Sequence, residues 1–195
     1  MSASSAGHSG REESLSGKLL VALPDMVGGV FERSVVYLLH HGEDGAQGVV
    51  LNKPVDAAID DILPGWQDYA SAPARVYQGG PVGLDTAIGL VIIPGDHHER
   101  LGLQRLNGAV GLVDLDAPPP VIATEISGLR IFAGYSGWSP GQLEDELAKG
   151  GWVVVGAEAG DITATEPDHL WRTVLRRQHG RIGWLSTYPA DPSEN

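Results

Sequence analysis

Residues 132–147, FAGYSGWSPGQLEDEL, restrict the folds open to this chain more than any other stretch. They read as an apolar strand, a glycine-rich turn and the start of a helix. Ser139 is suited to the N-cap, and Pro140 follows at the first helical position, where a missing N–H costs nothing. Gln142 stands three residues beyond the cap and completes a capping box, while Trp138 and Leu143 have the spacing of a hydrophobic staple. Leu143 and Leu147 share one helical face, and Lys149-Gly150 marks the end. The expectation is a helix over 140–149 launched directly from a central strand.

The rest of the chain fills in around that unit. Residues 1–16 are polar and lack apolar periodicity, so they are expected to form a mobile tail, with one domain over 17–188 and a frayed end from 189. Strands are predicted at 18–23, 34–40, 46–52, 75–78, 86–93 and 129–133, with 152–155 and an edge strand at 182–185 following the helix. The run SVVYLLH at 34–40 is continuously apolar rather than alternating, which implies cover on both faces. A five-residue link at 41–45 makes 34–40 and 46–52 an antiparallel hairpin. Asn107-Gly108 turns a second one between 101–106 and 110–115. Short helices are expected over 57–63, with Ile59, Ile62 and Leu63 on one side, and over 121–126 behind three prolines. A last helix begins at Thr165-Glu-Pro-Asp168, with Leu170, Trp171, Val174 and Leu175 as its apolar face. Helices and strands mix without a regular βαβ repeat. The expected class is therefore α+β: a single domain with a bent, barrel-like, mixed but mainly antiparallel sheet flanked by short helices.

Composition narrows the function. The 195 residues carry a net charge of −12, which argues against direct nucleic-acid binding, because phosphate affinity comes from Lys and Arg releasing counterions. Four of the thirteen Lys and Arg residues (Arg172, Arg176, Arg177 and Arg181) lie close together near the C-terminus. A solvated helix face accounts for them, and a small basic patch for an acidic partner is the other reading. There is no cysteine, so disulfides, thiol chemistry and cysteine metal ligands are excluded. The absence of cysteine fits a cytoplasmic protein. The longest apolar stretch, 87–93, falls far short of the ~20 residues of a membrane helix, and the N-terminus lacks the apolar core of a secretory signal.

No constellation of residues discloses a reaction. His40-His41 with Glu43 and Asp44, and His97-His98 with Glu99, contain metal-ligand types, but adjacent histidines on an extended chain point opposite ways. No metal site or cofactor is expected. His40, closing a buried strand, is the histidine singled out for a role. Ser34, Ser136 and Ser139 lack the GxSxG elbow of a hydrolase. Gly134-x-x-Gly137 running into a helix start is physically able to hold an anion, and Gly79-Gly80-Pro81 offers a second close-approach loop. Tight turns explain the same glycines. The candidate ligand-binding set is His40, Asn52, Gly79, Gly80, Tyr135, Ser136, Trp138 and Ser139; for Asn52, an Asx-turn predicts the same residue.

Several segments taken together resemble the AlgH/YqgE family of small bacterial proteins. They are GKLLVALP at 17–24, SVVYLLHH at 34–41, GAQGVVLNKP at 45–54, QGGPV at 78–82, and the stretch at 132–147 followed by GGWVVV. The resemblance implies a cytoplasmic α+β domain with a bent, barrel-like mixed sheet, and it supplies neither a catalytic residue nor a cofactor. Two readings stay open. One is a non-enzymatic regulatory or protein-binding domain. The other is a small-molecule, anionic-ligand binder or unrecognised hydrolase with a pocket near Gly79-Gly80 and Tyr135-Ser136.

Overall fold

The computed structural model describes residues 13–95 and 101–189. Its strands are β1 (Lys18–Ala22), β2 (Val35–Gly42), β3 (Gly45–Val50), β4 (Val76–Gln78), β5 (Val82–Ile92), β6 (Leu103–Asn107), β7 (Val110–Val113), β8 (Gly128–Trp138) and β9 (Trp152–Gly156). The helices are α1 (Pro119–Ala123), α2 (Gln142–Ala148), α3 (Ala159–Ile162), α4 (Pro167–Arg176) and α5 (Arg181–Trp184). The strands form one curled sheet in the order β6-β7-β5-β8-β3-β2-β1-β9, with every pair along that path antiparallel. β4 adds a parallel pairing onto β8, which makes the sheet mixed. The fold is a single α+β domain, as the residue pattern implied.

Alternation along the strands sorts side chains onto two covered faces. Leu19, Val21, Val35 and Tyr37 join one apolar cluster, whereas their neighbours Leu20, Ala22, Val36 and Leu38 join another. This is why 34–40 reads as unbroken apolar sequence. α4 closes the first face with Leu170, Trp171, Val174 and Leu175, all buried. α2 closes the second with Leu143, beside Trp138 and Trp152. A third cluster, including Ile59, Trp66, Ile122 and Ile131, fills the far end.

β8 is the spine of the sheet. One of its edges pairs with β5; the other pairs with β4 at 131–133 and with β3 at 136–138. The glycine-rich 134–137 segment is therefore strand and not turn, which corrects the expectation of a strand ending at 133. Strand pairing claims this backbone on both sides, and Gly134, at φ 71°, sits where the register of β5 slips between Val82 and Ala87. The helix start also moves. Gly141, in the left-handed region at φ 78°, is the N-cap of α2, and the Ser139 side chain makes no capping bond. Half of the box survives: Gln142 Oε1 accepts the Ser139 N–H at 3.0 Å.

Three further expectations change for local reasons. The helix at 57–63 shrinks to a single 3-10 turn, Ile59–Asp61, and Ile62 is 46% exposed. Asp60 Oδ1 accepts the N–H groups of Gly65 and Gln67, Asp61 Oδ2 accepts that of Ala58, and Gln67 Oε1 accepts that of Ile59. Such side-chain bonds compete with helical ones. Residues 182–185 form α5 and the start of a 3-10 turn rather than an edge strand, because Ile182 and Leu185, three apart, reach the core from a helix. The link at 41–45 tightens to a two-residue turn, Glu43-Asp44. Gly45 is required there: φ is 112°, and a Cβ would stand 2.2 Å from the Trp138 carbonyl. At the N-terminus, the sheet already engages Ser14, Leu15 and Ser16 through His41.

Candidate functional site

The residues singled out from the sequence fall in separate places. Gly79 and Gly80 lie against Tyr135-Ser136, where the Ser136 hydroxyl, fully buried, donates to the Gly79 carbonyl at 3.1 Å. A Cβ on Gly80 would lie 2.1 Å from the Tyr135 carbonyl, so it is close packing of chains, with neither glycine at positive φ, that explains this pair. Asn52 accepts the Val35 N–H at 2.9 Å and donates to the Arg33 carbonyl at 2.9 Å. Its neighbour Lys53 donates to the Glu32 carbonyl at 2.6 Å. Together they clamp the 23–34 loop and hold Arg33, the one non-glycine residue at positive φ among those described, at 49°.

The histidines divide unexpectedly. His40 is exposed and pairs with Asp44 at 2.8 Å, and that hydrogen bond holds the Asp44 carboxyl below its usual range. It borders a depression of about 750 Å³ with Leu39, Gln47 and Ile88. His41 is the buried one. Its Nδ1 accepts the Leu15 N–H at 3.1 Å, which leaves Nε2 as the protonated nitrogen that donates to Glu144 Oε1 at 2.8 Å. His41 thus ties the N-terminal segment and α2 to β2. Among the described residues, no three His, Cys, Asp or Glu side chains are grouped to hold a metal ion; His97, His98 and Glu99 lie outside the described residues. Nor, among them, is any helix long and apolar enough to cross a membrane.

A main-chain N–H and the His41 imidazole hold the Glu144 carboxyl below its ordinary 4.5. A depressed folded-state value stabilises the fold above the unfolded value and loses that contribution as the pH falls through the folded one. A Glu144→Gln variant is therefore expected to be the less stable chain above about pH 5, with the gap narrowing under more acidic conditions; urea melts at pH 7 and pH 3 measure both.

Trp138 belongs to a cleft of about 490 Å³ between the 23–34 loop and α2. Three elements build it. β8 supplies Trp138, β9 supplies Trp152, and the clamped loop brings Met26 and Phe31. Phe31 and Trp152 meet edge to face at 5.6 Å and 83°, Trp138 and Trp152 at 6.1 Å and 77°. Glu146, one turn beyond Leu143 on α2, accepts both indole N–H groups on Oε2, from Trp138 at 2.9 Å and Trp152 at 2.8 Å. Its Oε1 takes a third bond from Gln142 at 3.0 Å. Asp25 and Lys149 stand at the same cleft. The sequence pointed to Trp138 here but not to Glu146, Phe31 or Trp152, and Ser139 does not line the cleft. The i, i+4 spacing of Gln142 and Glu146 is a visible signal; the two indoles that Glu146 holds come from different strands.

A second cleft, of about 500 Å³, is lined by Arg33, Asn52, Lys53, Gln78 and Asp168. Burial pulls the Lys53 ammonium below its usual value. Among the described residues, Arg33 and Lys53 donate to main-chain carbonyls, of Tyr188 and Pro189 and of Glu32, and have no carboxylate within ion-pair distance.

Comparison with known proteins places this geometry. An AlgH-like family model matches residues 19–183. A UPF0301 protein of Streptomyces avermitilis is 53% identical over 93% of this chain and 96% of its own length, and one of Mycobacterium avium is 42% identical over 92% and 90%. Protein DIP2367 of Corynebacterium diphtheriae, solved by crystallography, superposes with a TM-score of 0.85 at 34% identity, covering 91% of this chain and 94% of that one. The solution structure of the AlgH protein of Pseudomonas aeruginosa gives 0.66 at 25% identity, over 97% and 100%. With matches spanning nearly the whole sheet and all three elements of the aromatic cleft, the chain belongs to the AlgH-like family of UPF0301 proteins.

Proposed function

We propose that the chain is a non-enzymatic, regulatory protein-binding domain of the bacterial cytoplasm, docking its partner in the cleft between the 23–34 loop and α2. The observation that carries this reading is the cleft of about 490 Å³ in which Met26 and Phe31, both half-buried, lie beside the buried Trp138 and Trp152, whose indoles share one fixed carboxylate. Aromatic anchors in a preformed concavity are what interface hot spots consist of. The hydroxyl that best resembled a nucleophile, on Ser136, is buried and committed to a carbonyl. Cysteine-free composition and bacterial relatives support the compartment, and the charge of −12 favours a protein partner over nucleic acid.

The test is selection of peptides from a random library on the full chain, followed by mapping on the indole N–H resonances. Selected peptides are expected to move the Trp138 and Trp152 signals. They should leave Trp66, bonded to Leu115, and Trp171, bonded to Ala22, in place. Peptides that act only at another surface would overturn the assignment. A small-molecule reading keeps one specific support, the Arg33–Lys53 cleft, which suits a carboxylate or phosphate. A ligand there at ~100 times its Kd adds ~2.7 kcal/mol, so a thermal-shift screen of metabolites on the wild type and Lys53→Met separates the two readings.

A further inference from the structure

The cleft of about 500 Å³ beside the 23–34 loop brings together Arg33, Lys53 and Asp168, two positive charges and one negative. Arg33 donates to the Tyr188 and Pro189 carbonyls and Lys53 to that of Glu32, which leaves N–H donors to spare on both. All three acceptors are neutral, and both side chains are only half-buried. Asp168 is exposed; among the described residues its carboxylate accepts no hydrogen bond and stands too far from Lys53 for an ion pair. Burial is the main cause that lowers the Lys53 pKa; Glu32 and Asp168 oppose it, and Arg33 adds to it as a like charge. The Glu32 carboxylate is engaged with the Gly28 N–H at 2.9 Å. Asn52 meanwhile holds Arg33 at φ 49°, and strain of that kind persists where the surrounding structure over-determines it, often at ligand sites.

Unlike charges that face one cavity without touching suit a molecule that reaches both. A phosphate dianion would meet the Asp168 carboxylate, and a chain of net charge −12 repels free anions. A zwitterion escapes both penalties, since it has no net charge and carries a group of each sign. We propose that this cleft binds an amino acid or short peptide, its carboxylate between Arg33 and Lys53 and its ammonium at Asp168. Val30 and Val55 at the same cleft offer apolar surface to an aliphatic side chain. Charge-assisted hydrogen bonds at both ends fix the orientation. The inference rests on the small-molecule reading above and names the ligand class; partner docking at the aromatic cleft plays no part in it.

The probes are L-leucine and leucyl-leucine, with N-acetyl-leucine, which lacks the ammonium, leucinamide, which lacks the carboxylate, and inorganic phosphate. Each is titrated into the full-length chain by calorimetry at pH 7. The better of the two zwitterions is expected to bind at least roughly tenfold more tightly than either blocked form, because each block removes hydrogen bonds to a charged group. In Lys53→Met the advantage over leucinamide should collapse while that over N-acetyl-leucine persists; in Asp168→Asn the reverse should hold. A chain merely damaged by substitution would lose both advantages together, which would count against the proposal. If Lys53→Met fails to fold, the exposed Asp168→Asn and the wild-type ratios decide. Phosphate or N-acetyl-leucine binding as tightly as the zwitterions would overturn the proposal and leave a simple anion site. If no probe binds, the small-molecule reading falls with it, whereas partner docking is judged separately at the Trp138 and Trp152 indoles.

Discussion

Replacing Trp171 with alanine is expected to cost about 3–5 kcal/mol, a large share of the 5–15 kcal/mol by which most domains are stable. The side chain is 2% exposed, and it is the largest fully buried one. It sits where α4 closes the first face of the sheet, with Leu170, Val174 and Leu175 around it. Its indole donates to the Ala22 carbonyl at 2.8 Å, and the Arg33 guanidinium lies 4.8 Å from its ring centroid. Alanine would leave a cavity, an unpaired carbonyl and a guanidinium without its ring. Phenylalanine would keep most of the apolar contact, so Trp171→Phe should lose only about 1–2 kcal/mol. Urea unfolding monitored by far-UV circular dichroism measures both. An alanine variant within 1 kcal/mol of wild type would show that α4 does not hold the sheet.

The second large effect concerns Glu146. Changing it to leucine removes the acceptor of two largely buried indole N–H groups at once, Trp138 being 6% and Trp152 4% exposed. An orphaned buried donor costs about 1–3 kcal/mol. The pair should therefore cost about 2–5 kcal/mol, shared rather than strictly summed because both donors use one oxygen. Glu146→Gln should lose less than about 1.5 kcal/mol, since one carbonyl can still accept both. If leucine and glutamine variants melt alike, the carboxylate is not what fixes the two rings.

Much of the fold is visible in short-range pattern. The α4 face was legible from Leu170, Trp171, Val174 and Leu175 alone, since 3.6-residue periodicity is a property of the segment itself. So was the doubly covered character of β2, from seven residues without alternation. The misreadings are equally instructive. Gly134 and Gly137 look like a turn because glycine permits one, but β3 and β5 pair with that backbone from either side and make it strand. Asp60 and Asp61 sit in a helical pattern and then use their carboxylates to end it. Arg130, in the middle of an apolar strand, gave no sign that it would be 1% exposed, its guanidinium 4.3 Å from the Tyr77 ring centroid.

The sequence by itself determined the class of the protein, its family, and the elements whose hydrophobic period lies within one segment. Those depend on nearest neighbours and on steric rules that every chain obeys locally. Only the tertiary structure decided which histidine is buried, which serine is spent, and that a glutamate on α2 would join tryptophans from β8 and β9. Convergence of residues some 120 positions apart, from Met26 to Glu146, is set by strand order and register, which local periodicity does not encode.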